Sequence, residues 1–148
     1  MKIPNSIGWS LDHKTLYFTH STSRVILAYD YTAETGEITN GRPFYNHEGP
    51  GEPDGFKVDV EGNLWSAVYG ESRVLKINTE GKLVGQIMFP AKCMTCPVFV
   101  GTELYVTSAS GGRESEYAGD IFKFDVGVKG VEPFQFKIKE DISKTLKA

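Results

Sequence analysis

The sequence predicts an all-β fold made of one repeating four-stranded unit. Short runs of alternating apolar and polar residues, separated by turn residues, fill most of the chain, and helical periodicity is nearly absent before the last dozen residues. The runs also recur three times in the same order. Each repeat has one leucine near the start of its second strand. These leucines are Leu16, Leu64 and Leu104, and they are 48 and 40 residues apart.

Each repeat begins with a hairpin and continues with two further strands. The predicted hairpins pair 7–10 with 15–19, 56–60 with 64–68, and 98–100 with 104–108. The predicted third and fourth strands are 24–31 and 42–45, 73–78 and 83–89, and 120–125 and 133–138.

Four short strands in 40 to 50 residues is the period of a β-propeller blade. We therefore predict a partial β-propeller of about three four-stranded blades over residues 1–138, followed by a charged tail, 139–148. A single β-sandwich with similar hairpins is the alternative, and the recurring strand order favours blades. Propellers usually close with about 4–8 blades, so we expect self-association or a missing N-terminal half to supply the rest of the ring.

Composition excludes several classes of partner. The net charge is −3, which offers no basic surface for nucleic acid or for an anionic membrane. No run approaches the roughly 18 apolar residues of a membrane span, and two cysteines are too few for a disulfide scaffold. We expect a cytoplasmic protein with no nucleic-acid or membrane partner, provided that the natural chain does not begin upstream of Met1.

Two short motifs place oxygen-bearing side chains at matching points of the first two repeats. Asn5 and Asp54 each lie two residues before a predicted strand, so we expect both on turns at the same end of neighbouring sheets. Their oxygens suit a divalent cation such as calcium or magnesium, although two such ligands do not complete a metal site. Asparagine and aspartate are also common turn residues, and this reading stays open for each motif alone.

The repeats resemble the SMP-30/gluconolactonase/regucalcin family of six-bladed propeller lactonases. The resemblance runs along nearly the whole chain and matches the C-terminal half of the family's pattern. The matching segments are 4–10, 16–17, 29–31, 53–65, 104–109, 119–122 and 127–130.

The resemblance implies a metal-dependent lactone hydrolase of the gluconolactonase type, acting on a small-molecule lactone. It implies Asn5 and Asp54 as metal ligands and Asp54 also as the general base. The implied cofactor is a divalent metal ion, calcium first, with zinc or magnesium as alternatives. The family's remaining metal-binding glutamate and its substrate-binding arginine and asparagine belong to blades that this sequence does not contain.

The other candidate residues receive plainer interpretations. Cys96 is expected at the place in the third repeat that Asn5 and Asp54 occupy in theirs, lining the channel mouth without binding metal. The single CxxC motif from Cys93 to Cys96 is expected to be an ordinary loop rather than a zinc or redox site. His13, His20 and His47 are interpreted as surface residues, and the acidic segment 48–52 as a solvated loop.

Five aromatic residues at strand spacing are predicted to fill the core between blades, with sugar stacking as the alternative. They are Trp9, Trp65, Tyr17, Phe18 and Tyr105.

Two further hypotheses about the whole chain remain open. It is either a non-catalytic propeller fragment that acts as a cation-binding or association module, or a truncated reading of an ordinary family member.

Overall fold

The structure, a computed structural model, describes residues 3–110 and 116–133. Within these residues it consists of β-strands joined by turns, with one short 3₁₀ segment at Ser21–Ser23. The strands are β1 Pro4–Trp9, β2 Thr15–His20, β3 Val25–Thr32, β4 Glu37–Asn46, β5 Glu52–Val58, β6 Leu64–Tyr69, β7 Arg73–Ile77, β8 Leu83–Met88, β9 Met94–Val100, β10 Glu103–Ser108 and β11 Ile121–Asp125.

The strands form three consecutive antiparallel sheets, as the repeats predicted. The first sheet has the order β1-β2-β3-β4, the second β5-β6-β7-β8, and the third contains β9, β10 and β11 among the described residues. The predicted fourth strand of the third sheet, 133–138, and the predicted tail, 139–148, lie outside the described residues apart from Pro133, which is not in a strand.

Neighbouring sheets pack face to face through two apolar clusters. The first cluster joins Tyr17, Ile26 and Ala28 of the first sheet to the facing side of the second sheet, where Phe56 and Leu64 are buried. The second cluster joins the other side of the second sheet to the third sheet. Its buried members are Trp65, Ala67, Val74, Phe89, Ala91, Met94, Leu104 and Val106. Burying these side chains at about 25 cal/mol per Å² is the main stabilisation of the arrangement.

The predicted aromatic core is confirmed for two of its five members. Tyr17 is 5% exposed and Trp65 is 6% exposed, and both lie between two sheets. Trp9, Phe18 and Tyr105 are only half-buried, because they lie on the outward sides of the first and third sheets. Position in the row of sheets, rather than residue type, therefore decides which aromatic side chains are covered.

A tight polar turn closes the hairpin of the second sheet. Asp59 is fully buried and accepts a hydrogen bond from the indole N–H of Trp65 at 2.9 Å. It also accepts bonds from the backbone N–H groups of Glu61 and Asn63 and from the Asn63 side-chain amide. Lys76 Nζ lies 3.9 Å from its Oδ2 atom. The hydrogen bonds and Lys76 thus stabilise the buried Asp59 carboxylate, which in turn holds Trp65 between the sheets.

No helix in residues 3–110 or 116–133 is long and apolar enough to span a membrane.

Candidate metal site and active site

The first strand of each sheet, β1, β5 or β9, contains one β-bulge at the same register. In each case two residues of β1, β5 or β9 lie opposite a single residue of the next strand. The bulged pairs are Asn5–Ser6 opposite Thr19, Asp54–Gly55 opposite Ala67, and Thr95–Cys96 opposite Thr107. Because a bulge bends its strand and redirects its side chains, the three bulges form a row along the inner edges of the sheets.

The expectation that Asn5 and Asp54 lie on turns before their strands is wrong. Asn5 is the second residue of β1 and Asp54 the third residue of β5. Both strands begin earlier than the alternation of side chains indicates, because the extra residue at each bulge interrupts that alternation. The two side chains nevertheless occupy equivalent positions in neighbouring sheets.

The expected equivalence of Cys96 with Asn5 and Asp54 is also wrong. Pro97 is the residue of β9 that shares its register with Ile7 and Phe56, so Thr95 takes the position of Asn5 and Asp54. Cys96 takes the next position. The CxxC segment is not a loop either, since its last three residues belong to β9. Both cysteines are free thiols.

The fold brings Asn5 and Asp54 into direct contact although 49 residues separate them. The amide nitrogen of Asn5 donates a hydrogen bond to Oδ1 of Asp54 and another, at 3.2 Å, to the hydroxyl of Ser21. Its carbonyl oxygen is the atom suited to a cation. The two residues that the sequence analysis singled out are therefore a pair in space.

A second hydrogen-bonded link fixes the first two bulges against each other. The hydroxyl of Ser6 accepts a bond from the Phe56 N–H at 3.1 Å and donates to the Phe56 carbonyl at 3.3 Å. The second and third bulges also lie close together, because a Cβ atom added at Gly55 would lie 2.7 Å from the Thr95 carbonyl oxygen. Glycine thus permits the close approach of these two backbones.

A cavity of about 340 Å³ opens beside the Asn5–Asp54 pair. Its lining residues are Ile3, Asn5, Ser21, Glu52, Asp54 and Tyr69. Sequence reasoning placed Glu52 in a solvated loop and did not select Ser21 or Tyr69. Had β5 been started at Glu52, the two-residue period of a strand would have placed Glu52 on the same face as Asp54.

The cavity raises the pKa of Asp54 above its ordinary value. Burial of the half-buried carboxyl is the largest cause, and the negative charge of Glu52 adds to it. Hydrogen bonds from the Asn5 side chain and the Gly55 N–H act in the opposite direction and reduce the effect. A carboxylate held in this way gains from the approach of a positive charge, because its own ionised form is poorly solvated.

The donor set fits a hard divalent cation but is incomplete. Asn5 and Asp54 offer amide and carboxylate oxygens, which are the ligands of calcium and magnesium, and Glu52 borders the same cavity. Residues 3–110 and 116–133 contain no cluster of three or more His, Cys, Asp or Glu side chains suited to a metal. Calcium takes about 6–8 oxygen ligands, so water or groups beyond these residues must supply the others.

The segment that leads into β5 is anchored by a buried ionic cluster. His47 Nε2 lies 3.1 Å from Glu71 Oε2, and Glu71 also pairs with Arg73 and accepts a bond of 2.8 Å from the Gly51 N–H. The interpretation of His47 as a surface residue is wrong, since its side chain is 2% exposed. Its partner Glu71 belongs to the next sheet, and no local sequence signal reveals that contact.

Comparison with known proteins identifies relatives of the whole fold. The family model described as "SMP-30/Gluconolactonase/LRE-like region" matches residues 1–110. Regucalcin of Gallus gallus is 40% identical over 146 residues, which cover 90% of this chain and 49% of that protein. The chain thus spans about half the length of the curated relatives that it matches.

Solved structures agree with the sequence comparison. A luciferin-regenerating enzyme superposes with a TM-score of 0.83 at 37% identity, over 92% of this chain and 49% of that one. A calcium-binding protein, regucalcin, from Agrobacterium tumefaciens gives a TM-score of 0.79 at 30% identity, over 90% and 48% of the two chains. These likenesses confirm the prediction of a partial β-propeller, with one blade for each sheet.

Proposed function

Because this chain belongs to the SMP-30/gluconolactonase/LRE-like family, we propose that it serves in metal-dependent hydrolysis of a sugar lactone, of the gluconolactonase type. The observation that carries the proposal is the contact between the Asn5 amide and the Asp54 carboxyl at the wall of a 340 Å³ cavity. A cavity of this size accommodates a small ring molecule. The Asp54 carboxylate and the amide of Asn5 give this cavity a polar side that attracts a cation.

Asn5 and Asp54 are the residues that would hold the cation. Calcium is favoured because both ligands are hard oxygens and because a relative at 30% identity is described as calcium-binding. Zinc or magnesium is the alternative. When bound, a divalent cation polarises a carbonyl oxygen and lowers the pKa of water near it.

Asp54 would act as the general base. Its carboxylate would take a proton from a water molecule as that water adds to the lactone carbonyl carbon. The ring C–O bond then breaks and the departing ring oxygen takes up a proton, which gives the open-chain hydroxy acid. Burial raises the pKa of Asp54 in the absence of a cation, whereas a bound cation would favour the ionised carboxylate that the base must be.

A second candidate function follows from the incomplete donor set. With Asn5 and Asp54 in contact, Glu52 on the same cavity and no cluster of three or more His, Cys, Asp or Glu side chains in the described residues, the chain would be a non-catalytic propeller fragment. Such a fragment would bind a cation weakly or serve as an association module. The chain spans 49% of the regucalcin that it matches, so residues of the other half would complete the catalytic site.

The test compares three variants of the chain in calcium titration and in hydrolysis of glucono-δ-lactone. Asp54→Asn removes the base and one charged ligand while keeping size, so we expect at least about a 100-fold loss of hydrolysis. Asn5→Ala removes one neutral oxygen ligand and should weaken calcium binding about tenfold. The matched control Glu80→Gln changes an exposed carboxylate of the second sheet that pairs with Lys82, and should change neither quantity.

The outcomes separate the two candidate functions. Hydrolysis that persists unchanged in Asp54→Asn would refute the lactonase proposal. Calcium binding that is lost in Asp54→Asn, in a chain without hydrolysis, would establish the cation-binding fragment instead.

A further inference from the structure

The second sheet shows how one sheet covers another in this protein. We call the side of a sheet that faces the preceding sheet its front, and the opposite side its rear. The front of the second sheet packs on the rear of the first, and the rear of the second packs on the front of the third. Among residues 3–110 and 116–133, the front of the first sheet and the rear of the third sheet have no sheet packed against them.

The uncovered front of the first sheet is built like the covered front of the second. Strand register makes Ile7, Leu16 and Leu27 equivalent to Phe56, Leu64 and Leu75, and Phe18 and Tyr29 lie among them. In the second sheet Phe56 is 1% exposed and both leucines are 0% exposed, whereas Ile7 is 54% exposed. The first sheet therefore presents an apolar front of the kind that elsewhere in the molecule is buried.

The uncovered rear of the third sheet repeats the rear of the first at three positions. Tyr105, Thr107 and Ile121 stand at the register of Tyr17, Thr19 and Ile26, which are the same three residue types. The first-sheet residues are 5%, 0% and 0% exposed because they receive the front of the second sheet. Ile121 is 68% exposed. The third sheet thus carries a receiving surface for one more front.

The lysine on this receiving surface is compatible with burial of the sheet. Lys123 lies opposite Tyr105 and pairs with Glu103 at 2.6 Å. Its equivalent in the second sheet, Lys76, lies in a covered interface, with its Nζ atom 5.1 Å from the centre of the Trp65 ring and its side chain still 25% exposed. A lysine at this position reaches the rim of the interface while its stem packs along the aromatic ring.

We propose that two copies of this chain close one propeller. The rear of the third sheet of each copy would pack against the front of the first sheet of the other copy, which places a two-fold axis along the channel. Contacts of this front-to-rear kind form either a closed ring or an open filament. The chain spans 49% of the length of its matched relative, so three sheets describe half a ring and two copies complete it.

A dimer of this form has a consequence for the candidate site. The inner strands β1, β5 and β9 border the channel of a propeller, so two Asn5–Asp54 pairs would face one another across it. The association itself depends only on the two uncovered faces. Failure of the lactonase proposal would therefore leave the dimer proposal unchanged, and the reverse also holds.

The experiment is the measurement of molar mass in solution by light scattering and sedimentation over a range of concentrations. The expected mass is twice the chain mass of 16.4 kDa. Ile121→Asp on the rear and Ile7→Asp on the front should each raise the dimer dissociation constant at least about 100-fold, because every dimer contains two copies of the changed interface. Val84→Asp is the matched control, since Val84 is 54% exposed on β8 of the second sheet and lies on neither uncovered face.

Circular dichroism and thermal melting establish that each variant is folded, and all three positions are exposed enough to accept a charge. A folded wild-type monomer would overturn the proposal and assign the two faces to another segment of a longer chain. A ladder of increasing masses would overturn the closure by two copies. Equal effects of Ile121→Asp and Val84→Asp would overturn the assignment of the interface.

Discussion

Asp59 offers the sharpest test of how the sheets are held together. Its carboxylate has 0% exposure and accepts hydrogen bonds from Trp65 Nε1 at 2.9 Å, Asn63 N at 2.8 Å and Glu61 N at 3.0 Å. Asp59→Ala removes every one of these acceptors at once. Water can reach the turn amides, but the indole N–H of Trp65, a residue with 6% exposure, is left buried without its partner.

The expected cost of Asp59→Ala follows from this count. An orphaned buried donor costs about 1–3 kcal/mol, and the loss of charge-assisted bonds to the turn adds about 1.5–3 kcal/mol. The sum, about 2.5–6 kcal/mol, is a large part of the roughly 5–15 kcal/mol that stabilises a typical domain. Asp59→Asn keeps one acceptor oxygen and should lose about half as much.

Urea denaturation followed by tryptophan fluorescence measures the effect, with all variants at one protein concentration. The matched control is Asp12→Ala, which removes a carboxylate from the corresponding turn of the first sheet, where it accepts bonds from Ser10 and Lys14 while exposed to solvent. We expect the control to shift the midpoint only slightly. Equal shifts for Asp12→Ala and Asp59→Ala would refute the argument that burial of the Asp59 acceptor decides its contribution.

Two further predictions concern contacts between the first and second sheets. Burial alone would raise the pKa of Glu71, but hydrogen bonds from the Gly51 N–H and two basic side chains outweigh it, and the net pKa lies below the ordinary value of 4.5. A depressed pKa contributes stability above the unfolded value that is lost as pH falls. The urea concentration at the unfolding midpoint of the wild type should therefore fall as the pH is lowered through about 4.5. Glu71→Gln should lack that part of the fall. Parallel curves of midpoint against pH for the two proteins would contradict the prediction. Gly81→Ala should destabilise the chain by about 1–3 kcal/mol more than Gly36→Ala, as measured by urea denaturation. Both glycines have positive φ, but a Cβ at Gly81 would lie 2.1 Å from the Phe44 carbonyl oxygen whereas Gly36 has nothing within 4 Å; equal losses would show that this contact between sheets is easily relieved.

The class of fold was predictable from the strand pattern alone, and the Asn5–Asp54 pair from that pattern together with a family resemblance. Alternation around Leu16, Leu64 and Leu104 shows which residues share a face, because successive strand residues point to opposite sides of a sheet. Repetition of that pattern predicted three sheets, and the structure has them. Asn5 and Asp54 share one place in two repeats, which left each open to interpretation as a turn residue; the family resemblance favoured them as ligands, and their side chains do meet in the fold.

The register at the site and the burial of its surroundings were not predictable from the strand pattern. A bulge interrupts the alternation without showing which residue is the extra one, so the sequence pattern assigned to Cys96 the position that Thr95 occupies. His47 is buried because Glu71 approaches it from the next sheet, and Phe18 is half-buried because no sheet among the described residues covers it. Strand pattern is a local property of the chain, whereas bulge register and burial depend on neighbouring strands and sheets, which local pattern does not specify.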